Sequence, residues 1–381
     1  MKLNISSYFS LAFILITASC LDPYTPPDSI LQKNFLVVDG FINTGNKTAE
    51  VKLSMAVPLS ASNTSSPVSK AIVQIESSEG MIIPLPETAT KGVYSAKSLN
   101  VNNGQKYSLR IKNSGNEYVS DIVQLKKSPV LDSVNWRTSP EGITIYVDSH
   151  DVEGSTKYYQ WNFIETWEYN SEKFSEYIWD KKTTTPIQRH AGQYINVCYG
   201  TATSTRVLIS STITNSLDVV NDYALTFIPK GSKKVSRLYS ILVQQRAMDE
   251  AAYTFWKNLQ KSTESVGGLF DAMPSEITGN VHNTANEGEK VLGYFTGGEV
   301  QEKRIFIDWN DMPLDLHVVD KLTCENDSIL VGNLKLYSKV DLYLVNAWGS
   351  PATIGYVASD GICVDCRLQG GVLEKPSYWP R

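Results

Sequence analysis

The sequence has no run of basic residues, no second long apolar segment and none of the common catalytic signatures. Its net charge is −5, and a mildly acidic chain without a basic patch argues against nucleic acid as a partner. The motifs H-E-x-x-H, G-x-S-x-G and G-x-x-x-x-G-K-[ST] do not occur. The four histidines are scattered, and no pair has the spacing of a helical metal site. We therefore expect a protein that is not an enzyme and that needs no cofactor or metal.

The one long apolar segment belongs to a signal peptide. Lys2 precedes an apolar stretch at residues 8–16, which is too short and wrongly flanked for a stable transmembrane helix. Residues 16–20 (ITASC) resemble a bacterial lipobox, and this predicts lipid attachment at Cys20. Several acyl chains at one residue give a stable anchor, because each buried methylene contributes about 0.8 kcal/mol. The sequence thus predicts a lipoprotein signal peptide at residues 1–19 and a proline-rich tether at residues 20–33.

Cysteine is rare, and the four copies that remain after Cys20 have to be interpreted for an exported chain. Four thiols in an oxidising compartment predict two disulfides, with three pairings that the sequence leaves open. Cys363 and Cys366 form a C-x-x-C pair between glycines near the C-terminus, which favours a loop over a redox motif or a zinc site. We expect at least one of these two to be bridged to Cys198 or Cys324, which would hold the C-terminal tail in place.

Alternation of apolar and polar residues predicts two β units and an all-β (mainly) fold. Short strands with Gly and Asn turns at residues 34–128 predict an N-terminal β-sandwich of immunoglobulin or transthyretin type. Residues 129–381 predict a larger β-rich domain that resembles fibronectin type III and ends in the cysteine-containing tail. This larger domain contains one predicted helix near 249–263, with Asp249 as its N-cap and an apolar face that includes Phe255 and Trp256.

Aromatic residues are dense at 158–179, and they allow two interpretations. Tyr159, Trp161 and Phe163 alternate along one strand, so we expect them to fill the core. A second group of aromatics could instead contact a partner protein or a glycan, and it consists of Trp167, Tyr169, Tyr177 and Trp179.

Two loops are further candidates for binding. Residues Asp148, Asp151 and Glu153 lie in one short loop, where their oxygens could surround calcium, although an acidic turn between strands is the favoured interpretation. A glycine-rich segment after the predicted helix is either a structural loop or a loop that docks a partner. Its candidate contact residues are Gly267, Gly268, Phe270 and Asp271.

Several sequence blocks together resemble a known family. The central block comprises residues 241–246, 252–259, 267–271, 279–283 and 291–295, and the C-terminal block comprises residues 363–366, 370–371 and 375–379. Together with residues 37–40, they are similar to a Bacteroidetes lipoprotein family known as domain of unknown function 4249. The resemblance implies a cell-envelope lipoprotein of a kind often encoded beside a TonB-dependent outer-membrane receptor. We expect it to be anchored in the outer membrane, on its periplasmic or its surface-exposed face, with the surface-exposed face favoured. It implies no activity and no catalytic residues.

The function expected from these observations is that of a non-enzymatic accessory or binding lipoprotein in nutrient uptake or envelope assembly. A lipid anchor in the outer membrane and a TonB-dependent β-barrel receptor are the expected partners, and the oligomeric state stays open. A structural or adhesive surface lipoprotein is the first alternative. A hydrolase with an unrecognised site is the second.

Overall fold

Strands form where the sequence alternates apolar and polar residues, and the computed structural model is mainly β. It describes residues 35–56, 65–264, 277 and 279–380. The first half contains β1 (Leu36–Asn43), β2 (Thr48–Ala56), β3 (Ser65–Pro67), β4 (Ile72–Ser77), β5 (Ile82–Leu85), β6 (Val93–Ala96), β7 (Lys106–Asn113), β8 (Asn116–Ser120), β9 (Val123–Gln124), β10 (Leu131–Ser139), β11 (Gly142–His150), β12 (Tyr158–Asn170), β13 (Tyr177–Asp180) and β14 (Thr185–Gln188). The second half contains β15 (Val197–Thr203), β16 (Leu208–Ser211), β17 (Val219–Pro229), β18 (Leu238–Met248), α1 (Glu250–Glu264), β19 (Val281–Asn283), β20 (Val291–Gly298), β21 (Val300–Asp308), β22 (Asn326–Leu330), β23 (Tyr343–Trp348), β24 (Gly355–Ser359) and α2 (Gly361–Val364).

The mainly-β prediction is confirmed, whereas the assignment to immunoglobulin, transthyretin or fibronectin types stays a prediction. Alternating burial along β1, β4 and β7 has the period of two that half-buried strands require. The periodicity in the sequence therefore corresponds to faces of real sheets.

The N-terminal sandwich consists of two sheets that share one core. The first sheet has the order β20-β1-β2-β3, with β6 also paired to β2, and the second has the order β19-β8-β7-β4-β5, with β9 also paired to β7. Apolar side chains from both sheets fill the space between them, including Val38 and Val51 from the first and Ile75 and Leu109 from the second. All four are 2% exposed or less, as expected for inward-facing positions of a sandwich.

The N-terminal sandwich also contains strands that the sequence analysis placed in the larger domain. β20 pairs in parallel with β1, and β19 pairs antiparallel with β8, although both follow α1 in the chain. Gly293 of β20 lies opposite Val38 with a φ of +110°, and a Cβ there would approach the Val38 carbonyl oxygen to 1.9 Å. Local periodicity identifies a strand but not a partner more than 200 residues away, which is why residues 34–128 alone do not form this unit.

The central sandwich packs a sheet of order β10-β11-β17 on a sheet of order β15-β12-β18-β21, with β16 paired to β12. Its core includes the three aromatics that alternate along β12: Tyr159, Trp161 and Phe163 are all buried, as predicted. Trp161 is further fixed because its Nε1 donates to Oε1 of the buried Gln245 at 2.9 Å. The buried aromatic layer thus identifies which face of β12 points inward.

The C-terminal unit combines the sheet β22-β24-β23 with the hairpin β13–β14. Its small core contains Ile329, Leu334, Leu344 and Ala358, against which Tyr177 and other partly buried side chains pack. No helix in the part of the chain that the structure describes is long and apolar enough to cross a membrane.

Helix α1 lies between the two sandwiches. Asp249 caps its start by accepting a hydrogen bond from the Ala252 amide at 2.7 Å, as the sequence predicts. Its apolar face packs on Tyr158 of the central sandwich and on Tyr294 of β20, whose ring lies 5.1 Å from that of Phe255. The helix therefore contributes to the junction of the two β units.

Candidate functional site

Several predicted site residues lie outside the described residues. These are the lipid-attachment residue Cys20 and the loop residues Gly267, Gly268, Phe270 and Asp271. Lipid attachment and partner docking at these positions stay predictions.

The four later cysteines form two disulfides, which confirms the prediction that they are oxidised. Cys198 is bonded to Cys366 over a separation of 168 residues, and Cys324 is bonded to Cys363 over a separation of 39. Each bridge joins the C-x-x-C segment to a different part of the molecule. The first connects the tail to β15 of the central sandwich, and the second closes a loop within the C-terminal unit.

The aromatic group proposed for partner or glycan contact does not form one surface. Tyr169 is only 1% exposed, and its hydroxyl donates to the Cys366 carbonyl at 2.8 Å, so it is a buried support for the disulfide. Trp167 is partly buried and lies flat on Gly200, where a Cβ would come within 2.4 Å of the ring. Both residues are therefore part of the packing between β12, β15 and the tail.

Tyr177 and Trp179 belong to a different unit from Trp167 and Tyr169. The Tyr177 ring makes an edge contact with Tyr356 at 5.2 Å, and Trp179 Nε1 donates to the Val340 carbonyl at 3.2 Å. They attach the β13–β14 hairpin to the C-terminal sheet. The four aromatics therefore lie in two places: Trp167 and Tyr169 at the end of β12, and the partly buried Tyr177 and Trp179 on the hairpin. Whether any of them contacts a partner or a glycan stays a prediction.

The three acidic residues proposed as a calcium candidate do not share one loop, because Asp148 lies within β11 and only Asp151 and Glu153 lie in the turn after it. Asp148 accepts from the Asp222 amide at 2.7 Å, while Asp151 accepts from the Thr156 amide at 2.7 Å. Burial raises the pKa of Asp151, but the hydrogen bonds that its carboxylate accepts from Thr156 and Ser155 lower it, and the pKa is lowered overall. The Asp151 and Asp148 carboxylates are engaged separately, and Glu153 contributes its backbone amide to Asp151. Among the described residues, no group of three or more His, Cys, Asp or Glu side chains is arranged to hold a metal ion.

A cleft of about 340 Å³ lies beside this loop, where the chain passes from the N-terminal to the central sandwich. His150 Nδ1 lies 2.7 Å from the nearer carboxylate oxygen of Asp132 at its edge. The hydrogen bond to Asp132 raises the pKa of His150 above its ordinary value. Sequence spacing gave no signal for this pair, because the two residues lie on the neighbouring strands β10 and β11.

The C-terminal tail is held by a buried carboxylate and two partly exposed arginines that sequence analysis missed. Glu168, 4% exposed, accepts from Trp379 Nε1 at 2.9 Å and pairs with Arg237 Nε at 2.8 Å. The adjacent Tyr378 hydroxyl lies 2.9 Å from Thr166 Oγ1, and the Arg304 guanidinium stacks 3.8 Å from the Tyr378 ring centroid. The tail is therefore an integral layer over the outer face of the central sandwich.

Exposed apolar side chains are concentrated in the C-terminal part of the chain. More than half of the large apolar side chains that are exposed in the described residues lie between Leu314 and Tyr378. Four of them lie on neighbouring backbone segments and are called the apolar rim: Leu330, Val331, Trp348 and Ile354. Backbone hydrogen bonds connect the set, since the Val331 amide donates to the Ile354 carbonyl and the Ile354 amide donates to the Trp348 carbonyl.

Comparison with family models shows which protein family this chain belongs to. A family model described as a domain of unknown function (DUF4249) matches residues 22–304, which is more than half of the sequence. The chain belongs to the DUF4249 family. Among curated proteins, no significant match is found.

The DUF4249 match covers both sandwiches and α1, and it ends inside β21. The assignment to domain of unknown function 4249 is confirmed, whereas its Bacteroidetes and lipoprotein parts stay predictions. The C-terminal blocks at residues 363–379 lie beyond the matched segment, so the family model does not test that part of the resemblance. The apolar rim also lies beyond it. In this DUF4249 chain, β20, which closes the N-terminal sandwich, lies inside the matched segment and ends six residues before it.

Proposed function

We propose that this DUF4249 chain is an outer-membrane lipoprotein that acts as a non-enzymatic accessory or binding partner of a TonB-dependent receptor. Nutrient uptake or envelope assembly is the process it would serve. The proposal rests first on Cys20, which follows an apolar signal segment in a lipobox-like sequence. The family resemblance supplies the expected neighbour, the receptor.

The pair of disulfides is the structural observation that supports export of this chain from the cytoplasm. Cys198, Cys363 and Cys366 are fully buried, and all four cysteines of the described chain are bonded in pairs. Structural disulfides form and persist in oxidising compartments such as the bacterial periplasm and the cell surface, and they are rare in the cytosol. They therefore support passage of this chain through the cytoplasmic membrane, in agreement with the signal segment.

The apolar rim supports a role in protein binding. Trp348 is 37% exposed and Ile354 is 50% exposed, and large apolar side chains that neighbouring segments expose to water can mark an interaction site. Exposed tryptophan is a common anchor of interfaces. The receptor would bury the rim, while the tether keeps the anchored end of the chain at the membrane.

Affinity purification from native outer membranes tests the proposal. We expect a β-barrel receptor to co-purify with the wild-type protein and to be lost from the double variant Trp348→Glu/Ile354→Lys. The control is Ile72→Lys/Ile82→Lys, which changes two apolar side chains on the N-terminal sandwich that are even more exposed than those of the rim and should retain the barrel. Thermal melting of each variant separates lost binding from lost folding.

Two results would contradict the proposal. One is recovery of the wild-type lipoprotein without any barrel, together with self-assembly, which would favour the structural or adhesive alternative. The other is equal recovery of the barrel by the rim variant and the control, which would remove the rim from the interface.

A further inference from the structure

A polar groove of about 760 Å³ lies between α1 and the end of β16. This volume falls within the range of about 300–1,000 Å³ that is typical of small-molecule sites. The groove is separate from the apolar rim and from the His150 cleft, and nothing in the proposed receptor partnership uses it. Its walls define what it can bind.

The helical wall is polar along its whole length. Successive turns of α1 present one face to the groove, since residues three and four apart are neighbours on a helix. The side chains on this face are Glu250, Tyr253, Thr254, Lys257, Asn258 and Lys261. The apolar face of the same helix, which includes Phe255, points into the core, and Tyr253 lies at the boundary between that core and the groove.

The opposite wall is rich in hydroxyl groups. Ser210 and Ser211 at the end of β16 and Thr214 in the following turn line it, with Ile213 as its apolar member. Hydroxyls both donate and accept hydrogen bonds. A ligand that carries many hydroxyl groups of its own can therefore be matched from this side.

Two tyrosines form the base of the groove. The rings of Tyr158 and Tyr253 lie 4.7 Å apart at an angle of 30°. Burial raises the pKa of both phenols, so they are neutral donors at physiological pH. Within the described residues neither hydroxyl has a hydrogen-bond partner from the protein, and both border the groove. A neutral, amphipathic ring with an unused hydroxyl suits a ligand that is apolar on one face and polar at its edge.

One end of the groove is positively charged. Lys257 and Lys261 are one turn apart on the exposed side of α1, and Lys257 Nζ lies 5.5 Å from the Tyr253 ring centroid. Glu250 is seven residues before Lys257, which places it about 10 Å away along the helix axis. The lysine end can therefore hold carboxylates without close repulsion from Glu250, because ammonium–carboxylate hydrogen bonds are short and strong.

We propose that this groove binds an acidic oligosaccharide. A sugar ring would lie against the Tyr158–Tyr253 pair, its hydroxyls would meet the serines and threonine of the β16 wall, and uronate carboxylates would bind Lys257 and Lys261. The proposal does not depend on the receptor partnership, because it concerns the sandwich junction and not the apolar rim.

Isothermal titration calorimetry tests the groove, with the chain from residue 21 onward, which lacks the signal segment and Cys20. Trigalacturonate is the acidic probe and maltotriose is the neutral probe of similar size. We expect trigalacturonate to bind and maltotriose to bind at least tenfold more weakly. The double variant Lys257→Ala/Lys261→Ala should lose at least tenfold in affinity for trigalacturonate, and Tyr253→Phe should lose severalfold because it removes one hydroxyl and keeps the ring.

The matched control is Lys91→Ala/Lys106→Ala, which removes two exposed lysines from the N-terminal sandwich and should bind trigalacturonate as the wild type does. Circular dichroism melts confirm that each variant is folded. Absence of trigalacturonate binding at millimolar concentration, equal affinity for both probes, or an equal effect of the two lysine pairs would overturn the proposal.

Discussion

Two buried carboxylates on β12 bind side chains from other segments of the central sandwich and from the C-terminal tail. Glu165 accepts from Lys234 Nζ at 2.6 Å and from the Tyr239 hydroxyl at 2.8 Å, while Glu168 is paired with Arg237 and Trp379. Burial, with the nearby Glu165 charge, raises the pKa of Tyr239 well above its ordinary value, so the phenol stays a donor. A buried carboxylate without such partners would be costly, which explains why each one has both a cation and a neutral donor.

Removing one of these carboxylates should loosen the tail. We expect Glu168→Ala to lower the free energy of unfolding by about 3 kcal/mol, because it leaves Arg237 and the Trp379 indole without their buried partner. Trp379→Phe should cost less, about 1–2 kcal/mol, since it removes one hydrogen bond and keeps most of the ring. Urea denaturation of both variants checks the order, and a larger loss for Trp379→Phe would contradict it.

The His150–Asp132 pair predicts a pH effect at one residue. The pKa of His150 is raised above its unfolded value of about 6.5 by the hydrogen bond to Asp132. Its contribution to stability is therefore complete below about pH 6.5 and is lost as the pH rises through the raised folded value. NMR titration should find a pKa above 6.5 that falls in Asp132→Asn. An unchanged pKa in that variant would show that Asp132 is not the cause.

At the scale of elements, the sequence predicts strands and the helix well because their signals are local. Period-two alternation marks the buried side of β12, and Asp249 with an apolar helical face marks α1. Side-chain surroundings are less predictable. Tyr169 follows the same alternation as Trp161, but it is buried by the Cys198–Cys366 disulfide and by the tail, which comes about 200 residues later in the chain. No local pattern in the sequence predicts this contact.

Helix α1 should be sensitive to loss of its apolar face. Trp256 is partly buried and packs in the cluster that joins the helix to both sandwiches. We expect Trp256→Ala to cost about 3 kcal/mol, at the lower end for a large aromatic replaced by alanine, because its ring is not fully enclosed. Thr254→Ala, on the exposed side of the same helix, should change stability by less than about 0.5 kcal/mol. Equal melting temperatures for the two variants would place Trp256 outside the structural core.

At the scale of the whole molecule, the chain returns twice to units it has already left. β19 and β20 complete the N-terminal sandwich after the central sandwich has been started, and Cys366 returns to β15. The sequence predicts that four cysteines pair but leaves three pairings open, since pairing depends on which strands become neighbours. The same limitation explains why the boundary at residue 128 describes only the first passage of the chain through the N-terminal sandwich.

The two disulfides should differ in their effect on stability. In the chain-entropy account, a bridge stabilises more when it closes a longer loop, and this gives about 5 kcal/mol for Cys198–Cys366 and about 4 kcal/mol for Cys324–Cys363. We therefore expect Cys198→Ser/Cys366→Ser to melt below Cys324→Ser/Cys363→Ser. Measuring both double variants by denaturant unfolding checks this order, and its reversal would mean that local packing outweighs loop length.

Fractionation of Cys20→Ala tests the central proposal, membrane anchoring through a lipid at Cys20, most directly. The wild-type protein should be found in the outer-membrane fraction, with a mature mass that includes acyl chains on Cys20. The variant should be absent from that fraction once its signal segment is removed, because it then lacks the residue to which the lipid would be attached. Recovery of processed Cys20→Ala protein in the outer membrane at the wild-type level would contradict the account.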